Sequence, residues 1–151
     1  DDRLISLTGY RPVVDLFSLP APSAPPDTLA LFGFDSPMLE RSYRFLQGDV
    51  DNAPVLSASA APAGDHLYVL NLRPSTMRVD VFGRDGRLQR ILTGTGAPRE
   101  GSLYLRDVDV RVSGDTVDVA VALTLPDPEV RLYRWVGDKP VDSLAAGNDV
   151  P

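Results

Sequence analysis

Residues 64–92, GDHLYVLNLRPSTMRVDVFGRDGRLQRIL, read as three β-strands joined by two turns, and this reading decides the fold class. Gly64-Asp65 is a turn pair, since glycine accepts φ > 0 and aspartate bonds back to its own backbone. Leu67 and Val69 share one face of the next strand, and His66, Tyr68, Leu70 and Leu72 share the other. A strand apolar on both sides is usually buried between layers. Arg73-Pro74-Ser75 then turns the chain. Met77, Val79 and Val81 alternate with Arg78, Asp80 and Phe82, which predicts a strand with one wetter face. Asp85-Gly86 between two alternating runs signals a hairpin, expected here as a type I′ turn, and residues 88–92 form the return strand.

The pattern repeats over residues 114–144. Gly114-Asp115 stands fifty positions after Gly64-Asp65, followed by Val117, Val119 and Val121 where the first copy has Leu67, Val69 and Asn71. Val130-Arg131-Leu132-Tyr133 matches Val79-Asp80-Val81-Phe82 in polarity, and residues 137–140 replace the second turn. A further candidate strand precedes each copy, at residues 55–61 and 103–112. The unit is thus four strands in roughly 40–50 residues, the period of a propeller blade. Helical repeats of similar length are excluded, because no segment carries a long apolar stripe at helical spacing.

On these residues the chain resembles bacterial six-bladed β-propellers of the NHL-like and TolB-like type. The likeness rests on residues 65–69 (DHLYV) with residues 77–88 (MRVDVFGRDGRL), on the glycine- and proline-rich connection 94–101 (GTGAPREG), and on Tyr133-Arg134-Trp135 as the end of a third blade strand. It covers about residues 54–144. The resemblance implies a fold and a range of binding roles, with no shared catalytic motif, so function stays open. Six blades would need roughly 250–300 residues, and the chain has 151. It is therefore expected to be part of a longer polypeptide, to complete a ring with another chain, or to form an open sheet stack. A smaller antiparallel β-sandwich is the alternative all-β architecture.

The expected organisation is a single all-β unit over 1–151, with a partial blade at 1–53 and blade-like repeats at 54–93 and 101–145. Leu4, Ile5 and Leu7 suggest a first strand, Val13, Val14, Leu16, Phe17 and Leu19 a second, and residues 29–34 a third. Between them lies a connector, residues 20–26 (PAPSAPP), whose four prolines favour an extended chain that cannot donate to a ladder. It reads as a stiff surface loop or, functionally, as a docking arm through Pro22 and Pro25. Residues 39–46 (LERSYRFL) alternate well enough to predict a strand. The sequence opens on Asp1 with no apolar leader, so a processed or excerpted chain is expected.

Net charge is −6, which argues against nucleic acid or an acidic membrane as partner. No apolar run is long enough to span a bilayer. Lys139 is the one lysine, and cysteine is absent, which removes disulfides, thiolate metal sites and thiol catalysis. His66 is the one histidine; without a second histidine or a cysteine it reads as a strand-edge residue rather than a ligand or base. Asp107 and Asp109 share a strand face and, with Asp115 or Asp118, suggest oxygen ligands for Ca²⁺. Arg106 and Arg111 flank them, however, and Val108, Val110 and Val112 account for the alternation as core patterning. Residues 94–101 lack the lysine and the following helix of a phosphate loop, and no Gly-x-Ser-x-Gly elbow occurs.

No catalytic, metal or cofactor residues are therefore assigned. Tyr104, Tyr133 and Trp135 stand out as aromatics that either anchor a protein partner or pack between sheets. Together with Pro22 and Pro25 they are the candidate partner-binding residues. The expectation is a non-enzymatic, periplasmic or secreted scaffold module, in one version an extrinsic accessory subunit of a membrane complex. A propeller hydrolase or lyase acting on a carbohydrate or lactone, with a metal in its channel, is the alternative.

Overall fold

A computed structural model describes residues 3–19, 25–73, 76–94, 105–124, 128–137 and 139–141. They form three antiparallel sheets, each a meander in chain order. The first contains β1 (Arg3–Leu7), β2 (Val13–Ser18) and β3 (Asp27–Ala30). The second contains β4 (Ser57–Ala63), β5 (His66–Asn71), β6 (Arg78–Gly83) and β7 (Leu88–Thr93). The third contains β8 (Leu105–Ser113), β9 (Thr116–Leu123), β10 (Glu129–Val136) and β11 (Lys139–Val141). The all-β class and the two four-stranded repeats are thus present; the sheets are not seen closed into a ring.

The second sheet is packed on both faces. Val14, Leu31, Phe34 and Leu56 meet Leu67, Val69 and Phe82 on its front. Tyr68, Leu70, Met77, Val79, Val81 and Leu92 meet Val117, Val119, Val121, Tyr133 and Trp135 of the third sheet on its back. This explains why β5 is apolar on both sides. It also corrects the expectation of a wetter face on β6: Asp80 and Phe82 are fully buried. Neighbouring sheets approach most closely along their first strands, β1 against β4 and β4 against β8. Ser57, Ala58, Ser59, Ala60 and Ala61 of β4 are small enough to allow this. Farther out, Tyr68, Leu92, Tyr133 and Trp135 fill the same layer.

Turn chemistry sets the register. Ala63 pairs with His66 and Ser113 with Thr116, so each copy opens on a two-residue loop whose glycine, Gly64 or Gly114, lies at φ near 60°. One left-handed residue at the first loop position is type II′ geometry, which follows the twist of the strands. The β6–β7 hairpin forms where expected but is not type I′. Among the described residues only glycines have positive φ, so Asp85 cannot supply the second left-handed residue that type I′ requires. The Gly86 N–H donates to the Gly83 carbonyl (2.9 Å) and the Gly83 N–H to the Arg87 carbonyl (3.0 Å), a type I turn closed by left-handed Gly86.

Two further expectations are corrected. Residues 39–46 are not a strand but most of α1 (Leu39–Gln47). Leucine, glutamate, arginine and glutamine are good helix formers. Leu39, Ser42 and Phe45 fall on one helical face, where Ser42 is buried and its hydroxyl donates to the Tyr10 carbonyl. The Phe45 ring meets Tyr10 edge-on at 5.7 Å, and Gly48 caps the C-terminus. So few apolar residues fit either period, and tertiary packing chooses. The match between repeats also shifts by two residues along the third strand. Leu70 pairs with Val79, and Ala120, fifty positions after Leu70, pairs with Leu132 rather than Val130.

Candidate binding surface

The structure separates the five residues singled out as partner-binding. Pro22 and Tyr104 lie outside the described residues. Pro25 is exposed just ahead of β3. Tyr133 and Trp135 are not surface anchors: they stack at 6.0 Å with ring planes 27° apart and sit, 8% and 3% exposed, in the layer between the second and third sheets. Position along β10 dictates this, because both side chains share the face of Val117 and Val119, their cross-strand partners.

The opposite face of the third sheet has no sheet against it among the described residues. Val130, Leu132 and Val136 of β10 are 59%, 46% and 41% exposed there. Ala120 and Ala122 of β9 lie beside them, paired with Leu132 and Val130. One ion pair crosses the patch: Arg134 donates to Asp118 through Nε (2.5 Å) and through a terminal nitrogen (2.9 Å). Those bonds hold the Asp118 carboxyl below the ordinary carboxylate range and raise the Arg134 guanidinium, with neighbouring charge as a smaller cause. A bidentate pair of this kind presents a neutral, planar surface. Alternation in β10 was the signal: Val130, Leu132 and Val136 are as apolar as the face that is buried.

A polar cluster lies on the front of the second sheet. The Asp80 carboxylate, fully buried, accepts from Arg78 Nε and from Asn71 Nδ2, both at 2.6 Å. Asn71 Nδ2 also donates to the Asp35 carbonyl (2.9 Å), and Arg73 donates to that carbonyl (2.7 Å) and to the Asp35 carboxylate (2.9 Å). The Arg73 hydrogen bond holds the Asp35 carboxyl below its usual range against a smaller desolvation effect. The cluster fastens the 31–38 segment to the second sheet. The sequence signal was a polar Asn71 at a core-facing strand position.

A cleft of about 360 Å³ opens between the second and third sheets at their hairpin ends, lined by His66, Tyr68, Gln89, Arg90 and Asp115 among others. His66 Nε2 bonds to Gln89 Oε1 at 2.9 Å, and Arg90 donates to the Gly137 carbonyl at 2.9 Å. Burial raises the Tyr68 phenol above its usual range, offset in part by Arg90. The aspartates considered for calcium do not converge. Asp107 accepts from the Ser59 hydroxyl (2.5 Å), Asp118 holds Arg134, and Asp109 accepts from the Val110 N–H (2.9 Å). Among the described residues, no three acidic, histidine or cysteine side chains are grouped to hold a metal ion. No helix among them is long and apolar enough to cross a membrane.

Fold and surface together define a class: a stack of antiparallel β-meanders in which one apolar sheet face is uncovered among the described residues. No protein-family model matches the chain, and no curated protein matches it in sequence.

Proposed function

We propose that this chain is a non-enzymatic, extracytoplasmic protein-binding module of the β-propeller type, its three sheets being successive blades. One observation carries the binding role. The third sheet exposes Leu132 at the position where the second sheet buries Val79 beneath another sheet. Exposed apolar patches rimmed by charge mark interaction sites, and charge-poor cores with polar rims are the usual anatomy of an interface. The blade reading is supported by the meander order of each sheet and by the close approach of the first strands. An accessory subunit of a membrane complex is one setting for such a module, and its overall acidity would direct it to the complex's protein rather than to an acidic lipid surface.

A photo-crosslinking residue at position 132, compared with one at exposed Glu40 on α1, tests the reading in the native source. A discrete adduct from position 132 alone is expected. Equal labelling from both positions, or none from 132, would remove the support for a binding face.

A further inference from the structure

The cleft between the second and third sheets has an apolar floor and a polar mouth. Tyr68, Val81 and Val117, all buried, close its inner end and continue into the core between the two sheets. His66, Gln89 and Arg90 line the wall given by the second sheet, with Asp115 and Gly137 on the wall given by the third. Its volume of about 360 Å³ falls at the lower end of the ~300–1,000 Å³ found for small-ligand sites.

Bonds within the protein hold both walls in place. Arg90 donates to the Gly137 carbonyl across the cleft at 2.9 Å, which ties the two sheets at this separation. His66 Nε2 donates to Gln89 Oε1 at 2.9 Å, and Nδ1 of the neutral ring is then an acceptor. Gly83, the cross-strand partner of His66, makes room for this pair. It is not one of the glycines at positive φ, yet a Cβ there would overlap Gln89 Nε2. The missing side chain thus serves space rather than backbone shape. Polar groups fixed in advance in this way reduce the entropy lost on binding.

Charge narrows the class of ligand. Arg90 stands on one wall, and the exposed Asp115 carboxylate stands on the other. An anion entering the cleft would meet Asp115, and a cation would meet Arg90. An uncharged molecule that both donates and accepts meets neither penalty. Acceptors are offered by Asp115 and His66 Nδ1, and donors by the Gln89 amide and, at the floor, the Tyr68 hydroxyl. Sugar hydroxyls donate and accept at once, and the C–H faces of a sugar ring are apolar enough to lie on Val81 and Val117. We infer that this cleft binds a neutral saccharide unit of one or two rings. The site is separate from the face carrying Leu132 and does not rest on the protein-binding reading of that face.

Two-dimensional amide NMR of the isotope-labelled chain tests this, with maltose, cellobiose and N-acetylglucosamine added to millimolar concentration. At least one of these sugars should give saturable shifts at the amides of Gln89, Asp115 and Gly137, and none at Val130 or Leu132. Asp115→Ala should weaken that binding about tenfold, the worth of one hydrogen bond to a charged group. Asp65→Ala, in the same turn one repeat earlier and away from the cleft lining, should leave it unchanged. Gly83→Ala should also weaken binding while the rest of the spectrum is kept, because the group it displaces is the far end of a flexible side chain. Acetate and methylammonium should give no saturable shift at these amides. Absence of saturable shifts with all three sugars, tighter binding of either ion, or full affinity in Asp115→Ala would each overturn the proposal. Crosslinking from position 132 does not depend on these results, so the two readings fail separately.

Discussion

Val79 and Leu132 occupy the same ladder position in successive sheets, one paired with Leu70 and the other with Ala120, yet the first is 0% and the second 46% exposed. Their substitutions should therefore diverge. Val79→Ala removes packed methyl groups and is expected to cost about 2 kcal/mol in unfolding free energy. Leu132→Ala should stay within about 0.5 kcal/mol for the isolated chain, as exposed sites do. Urea unfolding of the two variants under dissociating conditions measures both, and equal losses would mean that the outer face is covered within one molecule.

Asp80 and Arg78 form the buried half of the polar cluster that holds the 31–38 segment on the second sheet. The carboxylate has no exposure, and the Arg78 side chain has 14%. Removing one charge of a buried pair strands the other, at a cost of about 3–5 kcal/mol, whereas replacing both by apolar groups is often neutral. Asp80→Leu alone should be strongly destabilising, and Asp80→Leu with Arg78→Met should recover most of the loss. A double-mutant cycle in denaturant checks this; additive losses would show that the two do not act as a pair.

Strand order and the repeated hairpins were legible because they depend on local signals. Gly64 and Gly114 announce the same two-residue loop fifty positions apart, and each is followed by an alternating strand. Helix α1 was not legible, since a nine-residue run with three or four apolar side chains satisfies two periods at once. What decides it is the buried Ser42 hydroxyl on Tyr10, a contact thirty-two residues away in sequence. The same limit hid the exposed apolar face. Alternation says that β10 has two apolar faces but not which of them lacks a neighbour, so whether Tyr133 and Trp135 anchor a partner or pack between sheets stayed open; they pack between sheets, and the exposed residues are Val130 and Leu132. The two-residue shift along β10 was invisible for the same reason, because an even shift leaves the pattern unchanged.

Arg73 should make stability depend on acid pH. It holds the Asp35 carboxyl below its unfolded value, and a depressed carboxylate contributes stability that is present above the unfolded pKa of about 3.9 and is lost as pH falls through the folded pKa. Arg73→Gln is expected to lower stability at pH 7 and to lose most of that deficit at acid pH. Unfolding curves of both proteins across the acid limb test the sign. A deficit that persists undiminished at low pH would assign the role of Arg73 to its bond with the Asp35 carbonyl (2.7 Å) instead of to charge.

Gly86 and Gly114 separate conformational cost from steric cost. Both lie at positive φ, 75° and 61°, where a Cβ is disfavoured, by about 1–2 kcal/mol. A Cβ on Gly114 would meet nothing within 4 Å, whereas one on Gly86 would lie 2.1 Å from the Ala30 carbonyl oxygen. At that point the chain leaving β3 runs alongside β7, with the Phe32 N–H donating to the Gly86 carbonyl (2.8 Å) and the Leu88 N–H to the Phe32 carbonyl (2.9 Å). Gly114→Ala should therefore cost only the conformational term. Gly86→Ala should cost more and should expose the amides of Phe32 and Leu88 to hydrogen exchange, because the backbones must part. Equal losses with unchanged exchange at those two amides would show that this link between the first and second sheets carries no strain and can yield to a methyl group.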